Sequence, residues 1–220
     1  MSKEFKKRLL TSFFLLSLLT LMFFYTYVLI ISLLIISIIT WIEFYGLIIK
    51  IFKKENQKNK ILRFFYKSIS LLYLILLIYF ILTSRFSSTG LEIFIIYSIL
   101  VSVMSDIGGL FIGRTFKGKK LTKISPKKTI SGSIGSFVFS LALIPFFIQN
   151  LPNRSFFLIV LVTIVISLVS QLGDLFISYL KRKADIKDTS NLLPGHGGVL
   201  DRIDGIIFSI PVGFLILNNL

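Results

Sequence analysis

From Leu9 to Ile49 the chain is apolar on every face that a helix would present, with a single charged interruption at Glu43. At about 1.5 Å rise per helical residue, such a run crosses a hydrocarbon layer of roughly 30 Å twice. It predicts two spanning helices with a tight turn near Tyr25 to Tyr27. Reading on in the same way places spans at Leu9–Tyr25, Val28–Ile49, Ser68–Thr83, Leu91–Ile112, Ser131–Ile148, Phe156–Leu180 and Gly205–Leu217. The predicted fold is therefore all-α, a polytopic integral membrane bundle of about seven transmembrane helices. No internal repeat or low-complexity linker interrupts the alternation of spans and loops, so residues 1–220 read as one membrane domain. Residues 1–90 supply its N-terminal helices, and residues 91–220 supply the helices and loops that carry unusual side chains.

Composition sharpens this picture in one respect. The chain is 55% hydrophobic with a formal charge of +15, which in a soluble protein would point to nucleic acid. Here the positive charge is one-sided. With the spans above, all but two of the 25 Lys and Arg fall before the first helix, between Lys50 and Lys67, between Arg114 and Lys128, or between Lys181 and Arg202. The opposite side keeps Arg85 and Arg154. The positive-inside rule then puts the N-terminus and the basic loops in the cytoplasm and the C-terminus outside. The expected localisation is a multi-pass cell membrane protein whose partner is the bilayer, with no nucleic acid. No small-residue cleavage site follows the first apolar stretch, so that helix is expected to stay attached. With no Cys, the chain has neither disulfides nor thiolate metal ligands.

Two basic loops stand out, Gly113 to Thr129 (GRTFKGKKLTKISPKKT) and Lys181 to Asp204 (KRKADIKDTSNLLPGHGGVLDRID). Each follows a carboxylate set deep in a helix: Asp106 precedes Arg114, and Asp174 precedes Lys181, so each acid lies roughly 10 to 12 Å below its basic collar. An ionised carboxylate facing lipid there would cost several kcal/mol, about the price of any uncompensated buried charge, so an interior, a wet cavity or a cation is expected instead. Ser170, Asp174, Ser178 and Lys181 recur on one helical stripe, which reads as a polar channel wall. Ser102, Ser105, Gly108, Gly109 and Gly113 near Asp106 allow close approach of a neighbouring helix or a ligand. Asp201 and Asp204 share a face where the last helix begins. Displacement at a nucleoside triphosphate needs a hard cation on carboxylates and basic side chains on the phosphates. Asp106, Asp174, Asp201 and Asp204 are candidate ligands. Lys127, Lys128, Lys181, Arg182 and Arg202 are candidate clamps, and the glycines of Pro194 to Gly198 are suited to presenting backbone amides to phosphate.

The stretch from Ser178 to Asp204 resembles the C-terminal signature of phosphatidate cytidylyltransferases, running from a Ser and a Lys-Arg pair through Lys-Asp and HGG to DRxD. Gln171 to Leu175 (QLGDL) and Asp106 to Thr129 resemble the family's other segments, and the first half of the chain adds only its helices and the Trp41 and Glu43 pair. The resemblance implies attack of a phosphatidic acid oxygen on the α-phosphorus of CTP, with Mg²⁺ assistance, a second cation left open, and a dimeric helical fold. Carried over position by position, Asp174 and Asp201 become the foremost metal ligands, with Asp106 beside them. Lys181, Arg182, His196, Arg202 and Asp204 join Asp174 and Asp201 as implied catalytic residues. Ser125, Lys127, Lys128, Thr129, Ser178, Lys187, Asp188, Gly195, Gly197 and Gly198 are the implied substrate-binding positions. Where the family commonly has Glu, this chain has Ser131 and Ile177, so neither position holds an indispensable acid here.

Each feature also has a plainer reading. Lys183 is expected to be a headgroup anchor, and the Lys50 to Lys67 cluster a topology signal that meets anionic lipid. His196, the sole His, is flanked by glycines that give it little to pack against, which favours a phosphate or nucleotide contact. Asp204 is equally suited to orienting Arg202 or opening the last helix. Glu43 is read as hydrogen-bonding within the bundle, its further role open. Two rival functions remain at this level: another CTP-using lipid enzyme, such as a polyprenol kinase, and a cation transporter.

Overall fold

The structure, a computed structural model, describes residues 3–88, 90–122, 124–151 and 155–219, with side chains from Leu9 onward. Its helices are α1 (Lys3–Phe24), α2 (Thr26–Ile51), α3 (Gln57–Phe86), α4 (Glu92–Phe116), α5 (Ile130–Leu141), α6 (Ile144–Phe147), α7 (Phe156–Lys183), α8 (Leu200–Ile203) and α9 (Ile206–Asn219). The expected turn between the first two helices narrows to Tyr25, the one extended residue between them. Among the described residues, five helical stretches are long and apolar enough to cross a membrane: α2, α3, α4, Ile130–Phe147 and α7. The first and last expected spans are met by shorter apolar helices, Leu9–Phe24 and Ile206–Asn219. At about 1.5 Å per residue, neither reaches the roughly 30 Å of a hydrocarbon core.

The third helix differs most from expectation. It begins at Gln57, so much of the basic stretch read as a loop is helical. Lys, Arg and Gln are good helix formers, and a polar first turn needs no apolar face. The extension is also held by contacts: Arg63 donates to the Phe52 carbonyl, from Nε at 2.9 Å and also from Nη2. Lys67 Nζ lies 5.1 Å from the Trp41 ring centre and 4.9 Å from that of Tyr45, while Trp41 Nε1 donates to the Lys67 carbonyl at 3.1 Å.

The chain divides into two compact units, Met1–Ile78 with Leu180–Ile203, and Tyr79–Tyr179 with Asp204–Leu220. In the first, α1 packs along α2, and α2 in turn meets α8. The buried side chains of α2 include Leu33, Thr40, Glu43 and Leu47, the spacing of one helical face. Glu43 is thus built into the packed side of an apolar helix.

In the second unit α4 lies against α5 with backbones almost touching. A Cβ on Gly108 would stand 2.4 Å from the Gly135 carbonyl oxygen, and one on Gly135 2.4 Å from Ile112 Cβ. The small residues near Asp106 therefore serve a neighbouring helix. Hydroxyls, deprived of water in such a setting, pair across helices. Ser102 Oγ meets Ser170 Oγ at 2.6 Å, Ser167 Oγ donates to Ser105 Oγ at 3.1 Å, and Ser136 Oγ donates to the Ser105 carbonyl at 2.7 Å. Ser170, expected on a channel wall, is fully buried in this contact. An apolar cluster of Tyr97, Val101, Ile159, Val162, Ile166 and Leu217 fills the rest. Outward-facing Phe111, Phe146 and Phe157 suit acyl chains. Arg85 pairs with Glu92 at 2.7 Å, and Arg154 lies outside the described residues.

Candidate functional site

Within the first unit, the segment after α7 folds around two carboxylates. The helix closes when the Ile186 amide donates to the Lys181 carbonyl at 3.0 Å and Asp185 turns through φ 56°. Glu43 then gathers both ends of the following loop. Its Oε1 accepts from Ser190 Oγ at 2.6 Å and the Val199 amide at 3.1 Å, and its Oε2 accepts from Thr189 Oγ1 at 2.9 Å and the Leu200 amide at 2.8 Å.

Asp201 makes a second clasp. Lys181 Nζ donates to Oδ1 at 2.7 Å, while Oδ2 accepts from the amides of Thr189 at 2.8 Å and Gly198 at 3.0 Å, with Thr189 Oγ1 also 3.0 Å away. Burial pushes the Asp201 carboxyl up, but Lys181 and the two amides more than offset this and hold it below its ordinary value. A carboxyl lowered by folding contributes stability above its unfolded pKa and loses it as pH falls through the folded value. The clasp is therefore complete at neutral pH and weakens as pH falls below the ordinary carboxylate range.

The glycines between the clasps have geometric reasons. Gly195 and Gly197 have φ of 76° and 84°, a left-handed pair that lets the Gly197 amide reach the Leu193 carbonyl at 3.1 Å. At Gly198 an added Cβ would stand 2.0 Å from Thr189 Oγ1 and 2.6 Å from Glu43 Oε2. Gly198→Ala is accordingly expected to push Glu43 off the loop and to lower activity at least about tenfold, as for loss of a buried hydrogen-bonded contact. A steady-state assay on purified protein, beside a thermal melt, checks this.

The loop so held lines a cavity of about 510 Å³ with Lys187, Asp188, Asn191, Leu193, Pro194, Gly195, His196, Gly197 and Arg202. Arg202 donates to the His196 carbonyl from Nε at 2.9 Å and Nη2 at 2.5 Å, so the basic side chain also braces the turn. From α1, Thr11 Oγ1 donates to the Pro194 carbonyl at 3.1 Å and Ser12 Oγ lies 3.4 Å from His196 Nε2. His196 Nδ1 is buried without a hydrogen-bond partner among the described residues. Two of the positive groups expected from the sequence, Lys187 and Arg202, thus border one hollow with His196, a setting suited to phosphate. Arg182 instead donates to the Ile186 carbonyl at 3.2 Å. Lys183 is exposed, and Lys183→Ala is expected to leave turnover within about twofold, as for a headgroup anchor. A lipid-vesicle rate assay reads this directly.

The second unit holds another charged group. Lys128 forms an ion pair with Asp174 Oδ2, and Ser178 Oγ donates to Oδ1 at 3.3 Å. Asp106, expected in the bundle interior, is exposed on α4, within electrostatic reach of Asp174 and Lys128. The turn before α5 delivers Lys128: the Leu121 amide donates to the Lys128 carbonyl at 2.8 Å, and the Lys128 amide to that of Ser125 at 3.0 Å. Thr129 caps α5, its hydroxyl accepting from the Gly132 amide at 3.1 Å. Ser125 and Thr129 therefore shape the turn, and Lys127 stands exposed. Asp204 is buried and accepts from the Gly205 amide at 3.0 Å. Among the described residues no three His, Cys, Asp or Glu side chains form a metal cage. Mg²⁺ seldom needs one, because it usually takes one or two carboxylates together with substrate phosphates. Two mutually repelling acids, Asp106 and Asp174, partly neutralised by one lysine, fit such an ion.

Thr189, Ser190 and Asn191 were not legible as site residues, and Glu43 was legible only as an intramembrane acid of open role. The available signal was an acid in an otherwise apolar helix and two hydroxyl residues directly after Lys187 and Asp188.

Comparison with known proteins is consistent across the chain. The cytidylyltransferase family profile matches residues 1–220. The phosphatidate cytidylyltransferase of Bacillus subtilis is 40% identical over 142 residues, covering 63% of this chain and 52% of that protein. That of Rickettsia typhi is 42% identical over 142 residues, covering 61% of each. That of Helicobacter pylori is 35% identical over 157 residues, covering 71% of this chain and 56% of that protein. The chain thus spans 52 to 61% of the length of these relatives.

Proposed function

The chain belongs to the cytidylyltransferase family, and on that premise we propose that it is a phosphatidate cytidylyltransferase, transferring CMP from CTP to phosphatidic acid and releasing pyrophosphate. The observation that carries this reading is the loop pinned by Glu43 and Asp201 around a hollow bordered by Lys187, His196 and Arg202. Its volume of about 510 Å³ falls within the range usual for small-molecule sites. Lys187, Arg202 and His196 bind the triphosphate, and Asp188 and Asn191 offer polar groups to the nucleoside. Lys181 serves as the counter-charge of Asp201 and keeps the loop closed while phosphate is bound.

A phosphatidic acid oxygen attacks the α-phosphorus, the bond to the β-phosphate breaks, and pyrophosphate departs. The attacking oxygen is already anionic near neutral pH, so the site needs no strong general base. It needs screening of negative charge as the phosphates approach. The residues that would hold Mg²⁺ are, in the second unit, Asp174 with Asp106, and, taken by itself in the first, Asp201, whose Oδ1 accepts from Lys181 among the described residues and keeps a lone pair. When bound, the ion would supply charge neutralisation on the phosphate oxygens. A cation on Asp174 would take over the charge that Lys128 now balances.

The multi-pass chain is proposed to lie with its N-terminus and both motif loops in the cytoplasm, where CTP is available, and to work as a homodimer. Purified protein in phosphatidic acid vesicles, given CTP and Mg²⁺, is expected to form CDP-diacylglycerol. Phosphorylation of an added polyprenol, with no cytidine-bearing lipid, would replace this reading with that of a lipid kinase. Cation flux without either product would favour a transporter.

A further inference from the structure

Glu43 sits eight residues before the end of α2, about 12 Å inside the helix. An acid so placed and 93% buried has no bearing on solubility, and an unmatched charge there would be costly. Among the described residues, it is matched by donors from one loop. Thr189 and Ser190 come from the loop's start, Val199 and Leu200 from its end. Between these anchor points lie Asn191 to Gly198, most of the cavity wall.

We propose that Glu43 is a positioning residue for nucleotide binding: through Thr189, Ser190, Val199 and Leu200 it holds the phosphate loop in its binding shape. This deepens the function proposed above and rests on it. Three features of the contact support it. First, both oxygens are used, each by one side-chain hydroxyl and one backbone amide. Second, Thr189 Oγ1 stands between Glu43 Oε2 at 2.9 Å and Asp201 Oδ2 at 3.0 Å, so the two clasps share one side chain. Third, the loop carries glycine where any side chain would strike Glu43.

The pattern also predicts which replacements fail. A Gln amide has the shape of the carboxylate, but one end bears N–H groups. Either orientation turns that end toward the Val199 or the Leu200 amide, which can only donate. A hydroxyl can rotate away from such a clash; a backbone amide cannot. Glu43→Gln therefore preserves packing and loses the pin. Thr189→Ser keeps the shared hydroxyl, and Thr189→Val removes it at nearly constant shape.

The test combines kinetics with hydrogen exchange on the full-length protein in lipid. For Glu43→Gln, KM for CTP is expected to rise about tenfold with kcat within about twofold, the scale of losing one buried hydrogen-bonded contact. Amide exchange at Val199 and Leu200 is expected to accelerate in the absence of nucleotide. Thr189→Val should shift KM in the same direction, and Thr189→Ser should restore it. If Glu43→Gln does not accumulate, the Thr189 pair decides the matter. Unchanged KM and unchanged exchange in Glu43→Gln, or in Thr189→Val where that pair decides, would overturn the inference while leaving an active wild type as a cytidylyltransferase. A wild type that makes no cytidine-bearing lipid would instead defeat the proposed function, and the exchange data would still report whether Glu43 pins the loop.

Discussion

Asp174→Asn is expected to lower turnover about a thousandfold, the scale of losing a preorganised electrostatic contact to a charge-bearing transition state, while the protein still folds and inserts. The substitution changes charge and little else. Asn has the size of Asp, and Ser178 Oγ still has an amide oxygen to meet at the Oδ1 position. What disappears is the negative partner of Lys128 and one of the two acids available to a cation in this unit. Raising Mg²⁺ is expected to recover little of the rate. A rate assay across Mg²⁺ concentrations, with a size-exclusion profile for integrity, checks both halves. Robust Mg²⁺-dependent turnover in the variant would remove Asp174 from the cation site.

Asp201→Asn is expected to abolish turnover through a different route, with a measurable fall in thermal midpoint. The Asp201 and Lys181 side chains are only 4% and 11% exposed, so this is a nearly buried ion pair. Removing one member of such a pair leaves an uncompensated charge and costs about 3 to 5 kcal/mol. Asn offers no good orientation. With its nitrogen toward Lys181, two positive or donating groups face each other. With its nitrogen toward Thr189 and Gly198, it faces two backbone amides that cannot accept. The loop should loosen while the apolar helices stay in the bilayer. A thermal melt read alongside activity separates this variant from Asp174→Asn, for which the melt should move little.

The helical architecture was legible because the bilayer makes few demands, and long apolar runs meet them. Six of the seven spans drawn from hydropathy have their core within a single helix, the fifth is broken at Ala142 and Leu143 into α5 and α6, and Tyr25 breaks the first run where a turn was expected. The basic stretch before Ser68 was misread as loop because charge marks the membrane boundary without marking the end of a helix. Gln57 to Lys67 continues α3 in contact with Phe52, Trp41 and Tyr45. The shorter ends, Leu9–Phe24 and Ile206–Asn219, show the same limit from the other side. Apolar composition identifies a helix that prefers lipid, and length decides whether it reaches across.

The site was legible in its motif residues and opaque in its supports. His196, Arg202, Lys187 and the glycines announced themselves by type and spacing. Glu43 lies more than a hundred residues earlier, and no local pattern ties it to Thr189 or Leu200. Its partners include two backbone amides, which every residue but proline carries and no sequence displays. The roles of Ser102 and Ser170 were hidden for a related reason. A serine stripe in an apolar helix looks alike whether it lines water or meets another serine, and here the two hydroxyls meet.

The most direct test of the proposed chemistry is which phosphorus stays with the lipid. Protein in phosphatidic acid vesicles with Mg²⁺ is given CTP labelled at either the α- or the γ-phosphate. Label from the α-position is predicted in the lipid fraction, and label from the γ-position in pyrophosphate. Lipid carrying the γ-label, or neither label, would contradict the account.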